Sequence, residues 1–268
     1  MATKTLDEMA RGGMRDHLGG GFHRYSTDEK WLVPHFEKML YDNAQLVLSF
    51  TEAFQITKNQ EYEEVVQTTL DYVLRDLSHK QGGYYAAEDA DSEKAEGKFY
   101  VWHYSELENL LTKEELQKIC QAYKVTREGN YDTKRFSEIE EAAGLKGVHQ
   151  ANIFYVPSHS NFPNTKKDKI LAQALHKLFL VRSKRIRPTL DDQIITGWNG
   201  LMIGAFAKAS RVFEKKEYLE SAVKSAHFII KNLYKKGQLL RRYANGKARY
   251  TGYLTDYSYL IFGLLNFS

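Results

Sequence analysis

A chain of 268 residues with 43% hydrophobic and 13% aromatic content can fill one large core or two small ones. Its 38 basic and 34 acidic residues leave a net charge of +4, too slight to point to nucleic acid or a membrane surface as partner. The single cysteine, Cys120, excludes an internal disulfide framework and a cysteine-based zinc cluster, and favours an intracellular, reducing setting.

Helical periodicity predicts a first helix over Thr5–His17, stopped by the glycines at 19 to 21. Two long amphipathic helices follow, Met39–Thr57 and Glu61–His79, joined by a tight turn at Lys58-Asn59-Gln60. A short strand is expected over Lys98–His103, then two short helices opened by capping boxes at Ser105–Glu108 and Thr112–Glu115. After a loop over Thr126–Ser137 come a strand, Asn152–Val156, and a helix, Asp168–Arg185. A second long pair, Trp198–Phe213 and Glu217–Tyr234, precedes a strand over Gln238–Tyr243. The strands lie in connections between helices, so they read as hairpin decorations rather than a central sheet. No run reaches the roughly 18 apolar residues of a membrane span, and the first residues lack the apolar core of a signal peptide. The basic clusters at 166–169 and 182–187 read as solvated faces, with phosphate contact as the alternative.

The two long pairs are copies of one another. Asn43 and Tyr62 recur as Asn199 and Tyr218 (199−43 = 156, 218−62 = 156), and Val47/Ile203, Phe50/Phe206, Tyr72/Phe228 and Leu77/Leu233 match at that offset. A third copy opens at Leu254, with Asp256 where Asp42 stands (256−42 = 214), and is expected to stop half-made. Helix pairs that bury their apolar faces only against neighbouring pairs form a solenoid or a closed toroid. The turns inside each pair are minimal and the connections between pairs are long, and the unusual residues sit in the long set, which marks it as a candidate mouth.

The stretch from Gly19 to Asp42, which spans the first long connection and the start of the next helix, holds His23, Arg24, Tyr25, Asp28, Trp31, His35, Glu37, Tyr41 and Asp42. Its triple glycine lacks the Lys-Ser/Thr of a phosphate loop. His35 and Glu37 flank Phe36 and are expected to point apart, which argues against a shared metal. Each is a candidate general acid or base, and the alternative for His35 is a loop histidine bonded to the backbone. Arg24 either clamps a carboxylate or sugar hydroxyl or pairs with Asp28. In the next connection Asp89 and Asp91 alternate and would face the same way on an extended segment, as a cation pair, an acid–base pair, or loop caps. Trp102 follows, and later connections supply Asp192, Trp198, Asn199, Asp256 and Tyr257. Aromatic faces among polar residues suit a hydroxyl-rich ligand, although any single ring also fits ordinary packing.

The strings GGGFHRYSTD, WLVPHFEKMLYDNAQL, GGYYAAEDADSE, GKFYVW, TLDDQIITGWNGLM and LTDYSYLIFGLL, in this order, resemble the thioredoxin-fused family of YyaL-like and spermatogenesis-associated protein 20-like proteins, domain of unknown function 255. The resemblance implies an all-α fold: one partial (α/α)6 toroid of the six-hairpin glycosidase type over residues 1–268, incomplete at its C-terminus. The family's N-terminal thioredoxin-like domain is expected to be absent. It implies a carbohydrate-processing or carbohydrate-binding toroid, epimerase-like or glycosidase-like if an enzyme, with no cofactor and no metal.

On this expectation His35, Glu37, Asp89, Asp91 and Asp192 carry acid–base chemistry. His23, Arg24, Tyr25, Trp31, Tyr41, Asp42, Trp102, Trp198, Asn199, Asp256 and Tyr257 bind substrate. The alternative is a non-catalytic helical scaffold that holds a protein or peptide for an attached thioredoxin-like domain, with self-association through the open edge of the toroid.

Overall fold

The computed structural model describes residues 2–131 and 150–267. In chain order the elements begin with α1 (Ala2–Arg11), β1 (Tyr25–Ser26), β2 (Pro34–His35), β3 (Lys38–Met39), α2 (Leu40–Thr57) and α3 (Gln60–Asp76). Next come β4 (Ala87–Glu88), β5 (Asp91–Ser92), β6 (Ala95–Glu96), β7 (Trp102–His103), α4 (Tyr104–Leu110), α5 (Lys113–Tyr123), β8 (Ala151–Asn152) and α6 (Lys169–Arg182). The last are β9 (Leu190–Asp191), β10 (Ile194–Ile195), α7 (Thr196–Phe213), α8 (Lys216–Leu233), β11 (Tyr234–Lys235), β12 (Gln238–Ala244), β13 (Lys247–Thr251) and α9 (Leu254–Leu265). They divide between two compact units interleaved along the chain. The first unit is Met1–Gly19, His23–Glu37 and Asp89–Thr189; the second is Gly20–Phe22, Lys38–Glu88 and Leu190–Ser268.

The second unit carries the repeat. Helices α2, α7 and α9 pack side by side, with α3 outside α2 and α8 outside α7. This row of hairpins with short strands in its connections has the fold class expected, helical and consistent with a toroid. Both pairs turn through a left-handed residue, Lys58 at φ 57° and Glu214 at φ 55°, whose amide donates to Phe54 O and Ser210 O respectively. Two asparagines fix the connections to the helices. Asn43 accepts the Phe22 amide at 2.7 Å and donates to Phe22 O and Met39 O; Asn199 does the same with Tyr84, at 2.7 Å, and Ile195 O. In the third copy the Tyr257 hydroxyl accepts the Leu239 amide.

Each stapled aromatic then stacks on its own copy of a core ring, Phe22 on Phe50 and Tyr84 on Phe206. The glycines before them are left-handed, Gly21 at φ 76° and Gly83 at φ 79°, and lie against the rings of Tyr72 and Phe228, where a Cβ would intrude. Short ladders complete this unit: β3, β4 and β9 with Lys38 opposite Glu88, and β12 between β10 and β13.

The first unit packs α5 on α6 around Trp102, Leu107, Ile119, Tyr123, Phe154 and Leu178. Asp16 and Arg182 form a buried two-pronged ion pair with both contacts at 2.8 Å. Asp168 caps α6 by accepting the Leu171 amide, and Thr112 with Glu115 makes the expected capping box.

Several expectations need correction. The first helix ends at Arg11, so the glycines at 19 to 21 do not stop it; Gly21 serves the approach of backbone to ring described above, and Gly20 lies against the Thr68 carbonyl. Ser105 does not cap α4, because that helix already begins at Tyr104 with His103 at its cap position. The strands expected over 98–103 and 152–156 shrink to two residues each, while Gln238–Ala244 gains an unexpected partner in Lys247–Thr251. Part of the loop expected over Thr126–Ser137 lies outside the described residues.

Two predictions follow from burial. Replacing Asn199 by alanine leaves the amide and carbonyl of Tyr84 buried without their partner and is expected to lower stability by roughly 2–4 kcal/mol. The urea unfolding midpoint reads this; a loss under about 0.5 kcal/mol contradicts it. His17, bonded through Nε2 to Gly12 O and Arg11 O, is pushed by burial, and then by the Arg15 charge, down to about 3 from 6.5. The unfolded chain therefore takes up the proton first. The contribution of neutral His17 is complete above pH 6.5 and is lost as pH falls towards about 3. Across that window His17→Gln should lose stability with pH less steeply than the parent chain; parallel profiles would refute the assignment.

Candidate functional site

In the first unit the β1–β2 hairpin places Tyr25 opposite His35. Its loop is held by Asp28, whose carboxylate accepts the amides of Lys30, Leu32 and Val33. With Asp28 committed to the backbone, Arg24 pairs instead with Glu37, Nη1 to Oε2 at 2.9 Å. The pairing expected with Asp28 is made with Glu37 in its place. His35 and Glu37 do not point apart. Residues two apart on an extended segment share a face, and His35 Nε2 lies 3.6 Å from Glu37 Oε2. On the ring's other nitrogen, Nδ1 stands 2.7 Å from Glu96 Oε1. The Tyr25 ring, half exposed, sits 5.1 Å from the His35 ring.

Glu96 arrives on a second hairpin. β5 and β6 pair with Asp91 opposite Glu96 across a two-residue turn, Glu93 and Lys94, both left-handed. Like charges directly opposite one another are unfavourable in a ladder. Asp91 is raised above its usual range, first by burial, then by the charges of Asp89 and Glu96, with His35 opposing. Asp89 accepts the Asp91 amide at 3.2 Å. Thus Arg24, Tyr25, His35, Glu37, Asp89 and Asp91 gather around one exposed cluster. Glu96, which the sequence reading missed, is its link. Its partners, His35 and the Phe36 amide, lie about 60 residues away, and no local pattern marks it.

Other candidates in this unit lie elsewhere. His23 is buried, with Nδ1 donating to Phe36 O and its ring against Phe36 and Tyr100. Trp102 is in the core beneath the Arg185 guanidinium, 3.9 Å from its ring centre. Trp31 takes φ 59° in the hairpin loop, and its carbonyl accepts the Gly13 amide.

In the second unit the Tyr41 and Trp198 rings meet at 4.8 Å, both partly exposed. Asp42 is half-buried in the first turn of α2. Asp192 is exposed, and its charge adds to the burial that raises Tyr85. Asn199 is spent on the Tyr84 backbone, and Tyr257 holds Leu239. Asp256 is buried, accepting the amides of Gly197 and Tyr253 and the Arg241 guanidinium. A further buried group is Lys38, which donates to Gly20 O and lies over the Tyr72 ring, while Tyr72 donates to Glu88. Among the described residues no group of three or more His, Cys, Asp or Glu is arranged to hold a metal ion, and no helix is long and apolar enough to cross a membrane.

No family model matches the chain. The human protein named spermatogenesis-associated protein 20 is 35% identical over 295 residues, covering 99% of this chain. The chain is thus similar to that protein over nearly all of its own length. It spans 37% of that longer protein's length. Among solved structures, a sugar epimerase from a ruminal bacterium is similar at TM-score 0.28 and 14% identity, covering 99% of this chain and 78% of that one. An unsaturated glucuronyl hydrolase specific for heparin is similar at TM-score 0.32 and 11% identity, covering 99% and 66%.

The cluster around His35 combines a titratable ring, an arginine-held carboxylate and a carboxylic acid of raised pKa, the components of proton transfer to a polar ligand. Its electrostatics make a prediction for carbon-detected NMR. Asp89→Asn removes the larger of the two charges that raise Asp91, so the Asp91 titration midpoint should fall; an unchanged midpoint would contradict the assigned cause.

Proposed function

We propose that the His35 cluster is an acid–base site for a hydroxyl-rich ligand, and that the chain is the toroid portion of a carbohydrate-processing protein. The supporting observation is the pairing of His35 with Glu96 at 2.7 Å and its approach to Glu37 at 3.6 Å, beside Arg24 and the exposed Tyr25 ring. Carboxylates and a guanidinium accept from and donate to sugar hydroxyls, and an aromatic face covers the apolar side of a sugar ring. A histidine only a quarter exposed exchanges protons with a bound ligand under partial shielding from water. Epimerisation or hydrolysis by such groups proceeds without a redox cofactor. Tyr41 and Trp198 offer an aromatic surface of the same character. The membership of a thioredoxin-fused YyaL-like family is part of this proposal and is supported by the six strings that carry the resemblance.

The alternative, a scaffold for a protein partner or a second copy, is favoured by α9, where Leu254, Ile261 and Leu265 are 84%, 55% and 67% exposed. Thermal shift against a panel of mono- and disaccharides separates the two. The carbohydrate reading predicts that at least one sugar raises Tm by several degrees at about 100-fold above its Kd, and that His35→Ala abolishes the rise. If no sugar stabilises the folded chain, the scaffold reading takes its place.

A further inference from the structure

Glu96 holds its position through the backbone rather than through its own flexible stem. The Oε1 that faces His35 Nδ1 at 2.7 Å also accepts the Phe36 amide at 3.1 Å. The next residue, Gly97, is left-handed at φ 76°, and a Cβ there would come within 2.5 Å of the Phe36 ring, so strand β6 and Phe36 are pressed together. An ionised carboxylate has no proton to donate. Because Oε1 already accepts an amide, the proton in the contact with His35 belongs to Nδ1. On the other side of the ring, the 3.6 Å to Glu37 Oε2 is too long for a hydrogen bond, and that oxygen accepts from Arg24 at 2.9 Å.

We propose that Glu96 is a positioning residue that fixes neutral His35 in the tautomer protonated at Nδ1, which makes Nε2 the atom that takes a proton from the ligand. This rests on the acid–base reading of the cluster. In the step, an O–H or C–H bond of the ligand breaks and its electron pair stays on the ligand. The new N–H bond forms at Nε2. The resulting imidazolium lies between two carboxylates, Glu96 and Glu37, which stabilise it. The reverse transfer from Nε2 restores the neutral ring. Glu96 touches no ligand atom in this scheme; it acts by selecting which nitrogen carries the lone pair, with the Tyr25 ring lying beside the imidazole.

The tautomer can be read without a substrate. Long-range proton–nitrogen NMR on the uniformly labelled 268-residue chain, with the imidazole neutral, distinguishes a protonated Nδ1 from a protonated Nε2. The expected spectrum shows His35 mainly protonated at Nδ1. In Glu96→Ala the ratio of Nδ1-protonated to Nε2-protonated ring should fall about tenfold with loss of one charge-assisted hydrogen bond. Glu93→Ala, on the same hairpin but paired with Lys98, should leave it unchanged. A parent chain protonated mainly at Nε2 would overturn the inference whether or not Glu96→Ala folds, as would an unchanged ratio in a folded Glu96→Ala. A chain with the expected tautomer and no response to any sugar would refute the carbohydrate reading while leaving the role of Glu96 standing.

Discussion

Buried backbone on the connections between helices must find partners, and in the second unit one side chain per hairpin supplies them. Asn43 and Asn199 each present a carbonyl and an amine to the same residue of a connection, Phe22 or Tyr84, and tie it to the first turns of a long helix. Everything around them follows from that bond. The aromatic side chain is delivered onto the core ring of its hairpin, Phe50 or Phe206, which in turn meets Tyr62 or Tyr218. The left-handed glycine before it lets backbone lie against Tyr72 or Phe228. Tyr257 performs the amide-accepting half of the task in the third copy. A long connection pinned this way becomes part of the scaffold.

The repeat was legible because it is written in apolar residues at helical spacing, and burial preserves that pattern: Val47, Phe50, Ile203 and Phe206 are all sealed in the core. The reason for the repeated asparagine was not legible, since its partners lie 21 residues before Asn43 and 115 before Asn199. The repeat offset puts Asn199 at a helix start facing the expected mouth, and local sequence does not show that its side chain is taken by the Tyr84 backbone. Lys38 departs from the repeat, its copy being Ile194 (194−38 = 156). Its burial with Tyr72 and Glu88 could be found only in three dimensions.

At the His35 cluster, residue types were legible and geometry was not. The expected divergence of His35 and Glu37 failed because the segment is extended, and a period of two puts both side chains on one face. Glu96 enters through a hairpin whose turn residues, Glu93 and Lys94, are poor announcers of a left-handed turn. The result breaks a local rule, since Asp91 and Glu96 face each other with like charge in a two-residue ladder. Unfavourable pairs of this kind concentrate where a protein uses charge for chemistry. Here the compensation is close at hand: Phe36 gives its amide to Glu96, and Arg24 neutralises Glu37.

In the proposed function, the cluster around His35 in the first unit receives the hydroxyl groups of a ligand. A crystal structure of the chain with a saturating stabilising sugar tests it most directly. The expected complex has a sugar hydroxyl within about 3 Å of His35 Nε2, with the Tyr25 ring against the sugar's face. Sugar bound only on Tyr41 and Trp198, with His35 untouched, would contradict it.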